Sequence, residues 1–105
     1  MNLPDKVNIL GVEYKIIYCD KPSDVDVHNY SSLWGQINHW TSTIRIYSGG
    51  NRPDEDVWQS IFHEVLHGIA DSLHLNSLAK KENHDELDVL ALALVDTLFR
   101  NGWMK

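Results

Sequence analysis

Only one cysteine, Cys19, occurs among 105 residues. That excludes an internal disulfide, and it excludes the cysteine-rich zinc sites as well. Basic residues are the minority: nine Lys and Arg stand against fifteen Asp and Glu, for a net charge of −6. The nine are scattered, so there is no basic stripe to meet a nucleic-acid backbone. No apolar run reaches the roughly 20 residues of a membrane span. The opening Met1-Asn2-Leu3-Pro4-Asp5-Lys6 lacks the apolar stretch of a secretory signal, so a cytoplasmic location is expected. Internal repeats and low-complexity segments are absent too. What is there is ordinary for a small globular domain: 43% hydrophobic and 23% charged residues, in one unit over residues 1–105.

Residues 7–10 and 12–18 are rich in β-branched and aromatic side chains and are separated by Gly11, which predicts two strands and a turn. Residues 21–29, with Pro22, Asp24 and Asp26, read as a loop or a poorly formed turn of helix. A second hairpin is expected from 32–39 and 43–47 around Trp40-Thr41-Ser42. After Pro53, the acidic Asp54-Glu55-Asp56 suits a helix N-terminus. Apolar residues then recur at helical spacing from Trp58 to Leu73, predicting a helix to about residue 75 whose apolar face centres near Trp58, Val65 and Ile69. A second helix is expected over 84–100, with Leu87, Leu90, Ala91, Leu94, Val95 and Leu98 as its stripe and Asn101-Gly102 as its stop. The fold class that follows is α+β, a small antiparallel sheet of two hairpins followed by two helices.

The first helix carries Phe62-His63-Glu64-Val65-Leu66-His67-Gly68. Residues four apart share a helix face, so His63 and His67 can present both imidazoles to one metal ion. Glu64 can address a water bound to that metal. Two nitrogen ligands and a carboxylate base beside an open position are parts of a zinc hydrolase. A lone histidine is more often an incidental surface group, but two at this spacing with the glutamate between them favour the metal. A catalytic zinc normally takes three protein ligands. The candidates for the third are His74, Glu82, His84, Asp85, Glu86 and Asp88. His74 lies seven residues past His67, about 10 Å along the axis, which is too far to share one ion without strain. An inward-facing ligand on the second helix favours His84 or Asp88, while the acidic residues there also suit a solvated helix start. Asp88 could orient an imidazole, that of His67 or His84, by accepting its second N–H; Asp71 could do the same.

With these residues the chain resembles the zincin metallopeptidases of the gluzincin branch. It is similar to the small phage and mobile-element proteins related to the ImmA/IrrE and SprT-like groups. Their second helix often reads Glu-x-x-x-Asp/Asn followed by an apolar-Ala pair. Here His84-Asp85-Glu86-Leu87-Asp88-Val89-Leu90-Ala91 matches in part: it keeps Asp88 in the supporting position and the final apolar-Ala pair, but puts His84 where gluzincins carry Glu, a ligand that resembles the SprT-like proteins instead. The alternative register starts at Glu86 and puts Leu90 where the support belongs. The resemblance implies a minimal zincin-like metallopeptidase that uses Zn2+. Its ligands would be His63, His67 and His84, with Asp88 as outer support and Glu64 as the general base that activates the zinc-bound water. The substrate would be a peptide or protein lying beside a strand edge near 35–39 or 43–47. A catalytically silent metal-binding or regulatory protein of the same fold is the alternative, since so small a domain lacks a deep substrate cleft.

Tyr47, His39 and His74 have the chemistry to steady an oxyanion, with a structural or surface role favoured for each. Trp58 reads as core, Trp34 and Trp40 as packing on a sheet face or walling a binding site with packing favoured, and Trp103 as docking back on the body. Cys19, at a strand end, reads as inert.

Overall fold

The computed structural model describes residues 3–25, 34–75 and 84–103, except for the side chains of residues 84 and 85. One sheet contains β1 (Lys6–Ile9), β2 (Val12–Cys19), β3 (Gly35–Asn38) and β4 (Thr43–Tyr47) in the order β1-β2-β4-β3. Two helices follow, α1 (Asp54–Ser72) and α2 (His84–Arg100). This is the expected α+β class, with both hairpins present.

The first hairpin turns at Leu10 and Gly11, both with positive φ, which matches the two-residue turn that suits strand twist. Asn8 Oδ1 accepts from the Gly11 N–H at 2.8 Å and fixes that turn. The hairpins join through β2 and β4, which run parallel with Ile16 opposite Ile44, so the sheet is mixed rather than wholly antiparallel. One consequence bears on function. β4 lies inside the sheet, which removes 43–47 as an edge for a substrate strand; among the described residues β3 is the edge beside it.

Ile9, Tyr14, Ile16, Ile44 and Ile46 pack against Val57 and Ile61 of α1 to form the core. The buried face of α1 includes Val57, Ser60, Ile61, Glu64 and Gly68, whereas Trp58, Val65 and Ile69 are only half-buried at the margin of the core. The sheet-facing side is therefore rotated from the apolar centre read off the sequence. The cause is backbone proximity. A Cβ at Gly68 would lie 3.0 Å from Ile9 Cδ1 and 3.1 Å from Ile37 Cδ1, so the missing side chain lets the helix sit close to β1 and β3.

α1 stops at Ser72, short of residue 75, because His74 takes a left-handed conformation with φ 55°. Leu75 N–H donates to the Ala70 carbonyl and His74 N–H to that of Asp71, closing a Schellman motif. α2 ends the same way at Gly102, where Trp103 N–H reaches the Leu98 carbonyl. α2 buries Leu87, Ala91 and Val95 and packs on α1. Asp88 meets His63 near its start and Arg100 feels Glu55 near its end, so the helices run antiparallel.

Candidate metal centre

Helical geometry places His63 and His67 one turn apart on α1, and their rings meet with centroids 4.7 Å apart. Their Nε2 atoms stand 3.0 Å from each other. A tetrahedral zinc with bonds of 2.0–2.1 Å separates adjacent ligand nitrogens by about 3.3 Å. The two imidazoles therefore already sit close to the spacing that a shared ion needs.

Asp88 enters from α2. Its Oδ1 lies 3.2 Å from His63 Nδ1. The sequence pointed Asp88 at His67 or His84; in the fold it serves the first histidine of the motif. An Nδ1–H donated to this carboxylate leaves the lone pair of Nε2 directed at the shared position. Asp71 does not orient a motif histidine. Its Oδ2 lies 2.8 Å from Nε2 of His39, whose Nδ1 is 3.0 Å from the Tyr14 hydroxyl. That chain ties the end of β3 to α1, and it engages both ring nitrogens of one proposed oxyanion partner. Tyr47 packs edge-on against Trp34 at 5.5 Å, and His74 is exposed at the helix cap.

Glu64 is buried between α1 and the β3 edge, with its Oε2 3.9 Å from His63 Nε2. Burial pushes its carboxyl up from 4.5 to about 7, against the lowering effect of the Ile37 backbone hydrogen bond. The sheet register explains that bond. Tyr47 N–H donates to the Trp34 carbonyl, so Gly35 and Ile37 are the positions whose amides and carbonyls point away from β4. The outward Ile37 N–H thus meets Glu64. Gly35 makes the approach possible, since a Cβ there would lie 3.1 Å from both Cγ and Oε2 of Glu64.

Gly35 and Ile37 fall within the 35–39 stretch expected as a substrate edge, but their contact with Glu64 was not foreseen. A glycine opening a strand is a sign of close backbone approach, and that signal was available at position 35. His84 opens α2, but its side chain lies outside the described residues, as do that of Asp85 and the whole of Glu82. Glu86 is exposed on α2. Among the described residues, no group of three or more His, Cys, Asp or Glu side chains is gathered so as to hold a metal. Comparison of the chain with protein-family models, curated proteins and solved structures finds no match.

Proposed function

We propose that this protein is a zinc-dependent metallopeptidase, with His63, His67 and His84 as metal ligands and Glu64 as general base. The observation that supports it most is the convergence of two imidazole Nε2 atoms to 3.0 Å beside a buried carboxylate. The donor set fits a borderline metal that favours nitrogen, and Asp88 supplies the outer carboxylate such ligands usually have. The antiparallel helices add to the case for His84. With Asp88 level with His63, the residue one turn earlier on α2 begins level with His67.

Zinc bound there would supply Lewis-acid polarisation of a carbonyl and an acidified water. The remaining work belongs to the chain. Asp88 holds the tautomer and ring angle of His63. Glu64 takes a proton as water attacks and returns it to the departing amine. The Ile37 amide steadies that carboxylate, and the outward-facing backbone of Gly35 offers an extended peptide a place to pair.

A silent metal-binding protein is the second reading, and one observation favours it: the Glu64 side chain is only 9% exposed, which limits the approach of water. Elemental analysis of purified wild-type, His63→Ala and His84→Ala proteins tests the metal. One equivalent of zinc in the wild type and none in either variant is expected. Zinc lost only in His63→Ala moves the third ligand to Glu86 or another carboxylate, and no zinc in the wild type overturns the proposal. Peptide hydrolysis by the zinc-loaded wild type, absent in Glu64→Gln, separates the enzyme from the silent protein.

A further inference from the structure

Trp34 is 60% exposed, yet it is not a loose surface ring. The Arg52 guanidinium carbon stacks 4.5 Å from its centroid, and the Tyr47 ring meets it edge-on at 5.5 Å. Arg52 is itself pinned. It donates to the carbonyls of Tyr47 and Asp56 and, at 2.5 Å, to the Ser60 hydroxyl on α1. One side of the indole is therefore backed by a fixed cation, while much of the ring stays open to solvent. An indole held in place on one side and open on the other is equipped to act as a recognition platform, the role in which Trp is enriched at binding surfaces.

Its place in the sheet gives the platform a purpose. Trp34 directly precedes Gly35, which packs against the Glu64 carboxylate. The outward backbone groups of Gly35 can accept an added strand. A peptide residue opposite Gly35 would aim its side chain at the α1 face and Glu64, and its chain neighbour opposite Trp34 would aim at the other face. Cross-strand neighbours on one face stand about 5 Å apart, within reach of an indole.

We infer that Trp34 is a specificity-determining residue, a platform for an aromatic or large aliphatic side chain of an extended peptide, within about two residues of the bond presented to Glu64. This deepens the peptidase reading above and rests on it. An apolar partner follows from the ring: the Arg52 guanidinium lies over the indole and donates to two carbonyls and a hydroxyl, and the surface left open to a ligand is the exposed indole itself.

Two measurements test the inference. In the first, Glu64→Gln protein is titrated with Ala-based peptides carrying either one Phe or none; affinity is read by calorimetry in every protein, and the Trp34 indole N–H signal, assigned by its loss in Trp34→Phe, is followed by NMR where Trp34 is present. The Phe peptide should shift that signal and bind about tenfold more tightly, and the advantage should vanish in Trp34→Ala and persist in Trp34→Phe. Equal binding of both peptides, or a Phe advantage that survives Trp34→Ala, overturns the inference. In the second, zinc-loaded wild type and Trp34→Ala digest a mixed peptide library, with cut sites read by mass spectrometry. Aromatic or aliphatic enrichment at one position, lost in Trp34→Ala while cleavage continues, supports it. The same preference in both proteins overturns the role of Trp34 and leaves the peptidase reading standing. No cleavage by the wild type overturns that reading and this inference together.

Discussion

Glu64 is a carboxyl buried within the site, and its burial has a direct electrostatic consequence. Its carboxyl is raised from 4.5 to about 7 by burial, so the metal-free folded chain holds that proton more tightly than the unfolded chain does. Its contribution to stability is full below about pH 4.5 and is lost as pH rises through about 7, leaving a cost on the order of 3 kcal/mol at pH 8. Glutamine has the same shape, can accept from the Ile37 amide and carries no charge. Metal-free Glu64→Gln should therefore melt several degrees above the wild type at pH 8 and alongside it at pH 4.5. Thermal melts in chelator at the two pH values check this; equal melting at pH 8 would mean the carboxylate is hydrated. Gly35 sets the position of the same group. An Ala methyl there would lie 3.1 Å from Oε2 and 3.2 Å from Ile46 Cδ1, so its tightest contacts fall on the carboxylate and the core rather than on an imidazole. Gly35→Ala should lower kcat/KM on a cleaved peptide by about 10²-fold with zinc affinity unchanged, measured by steady-state kinetics beside a zinc titration.

At the scale of elements, the pairing of α1 with α2 completes the histidine pair. Asp88 reaches His63 from α2 at 3.2 Å, so Asp88→Ala should weaken zinc binding by about 10–100-fold, read by competition with a chromophoric chelator. Asp71→Ala is the matched control. It removes a carboxylate from α1, but one bound to His39, so zinc affinity should hold, with less than about 1 kcal/mol of stability lost from a half-exposed pair. The contrast shows what was legible in the sequence. The spacing of His63 and His67 puts both imidazoles on one face of any helix, within reach of one another, and Gly11 and Gly102 mark a turn and a helix stop wherever the elements pack. Which imidazole Asp88 would serve was not legible, because it depends on the offset between two helices joined by a linker. Nor was the parallel β2–β4 join, since the alternation of Ile44 and Ile46 suits either neighbour. The inward face of α1 was misjudged for a physical reason: hydropathy weights Trp58 and Val65 heavily, gives Gly68 little weight and treats Glu64 as a surface group. Trp34, Trp40 and Trp103 are exposed, Trp40 at 98%, where packing was expected for the first two and docking for the third. Cys19 is a buried free thiol, in keeping with an inert residue.

For the molecule as a whole, the sheet and α1 share the core, while α2 is held mainly through α1. A metal bound by His63 and His67 on one helix and His84 on the other would clasp the part of the fold with the fewest other supports. Zinc at about 100 times its dissociation constant should add about 2.7 kcal/mol, which for a chain of this size raises the melting temperature by on the order of 10 °C. Chelator should reverse the rise, and His63→Ala should not show it. Where the stabilisation falls is more informative than its size. If the ion bridges the helices, amide exchange in α2 should slow on zinc addition by a larger factor than in the β1–β2 hairpin, because α2 can otherwise open without breaking the core. A rise in melting temperature with α2 exchange unchanged would mean that α2 contributes no ligand, and His84 would then be ruled out.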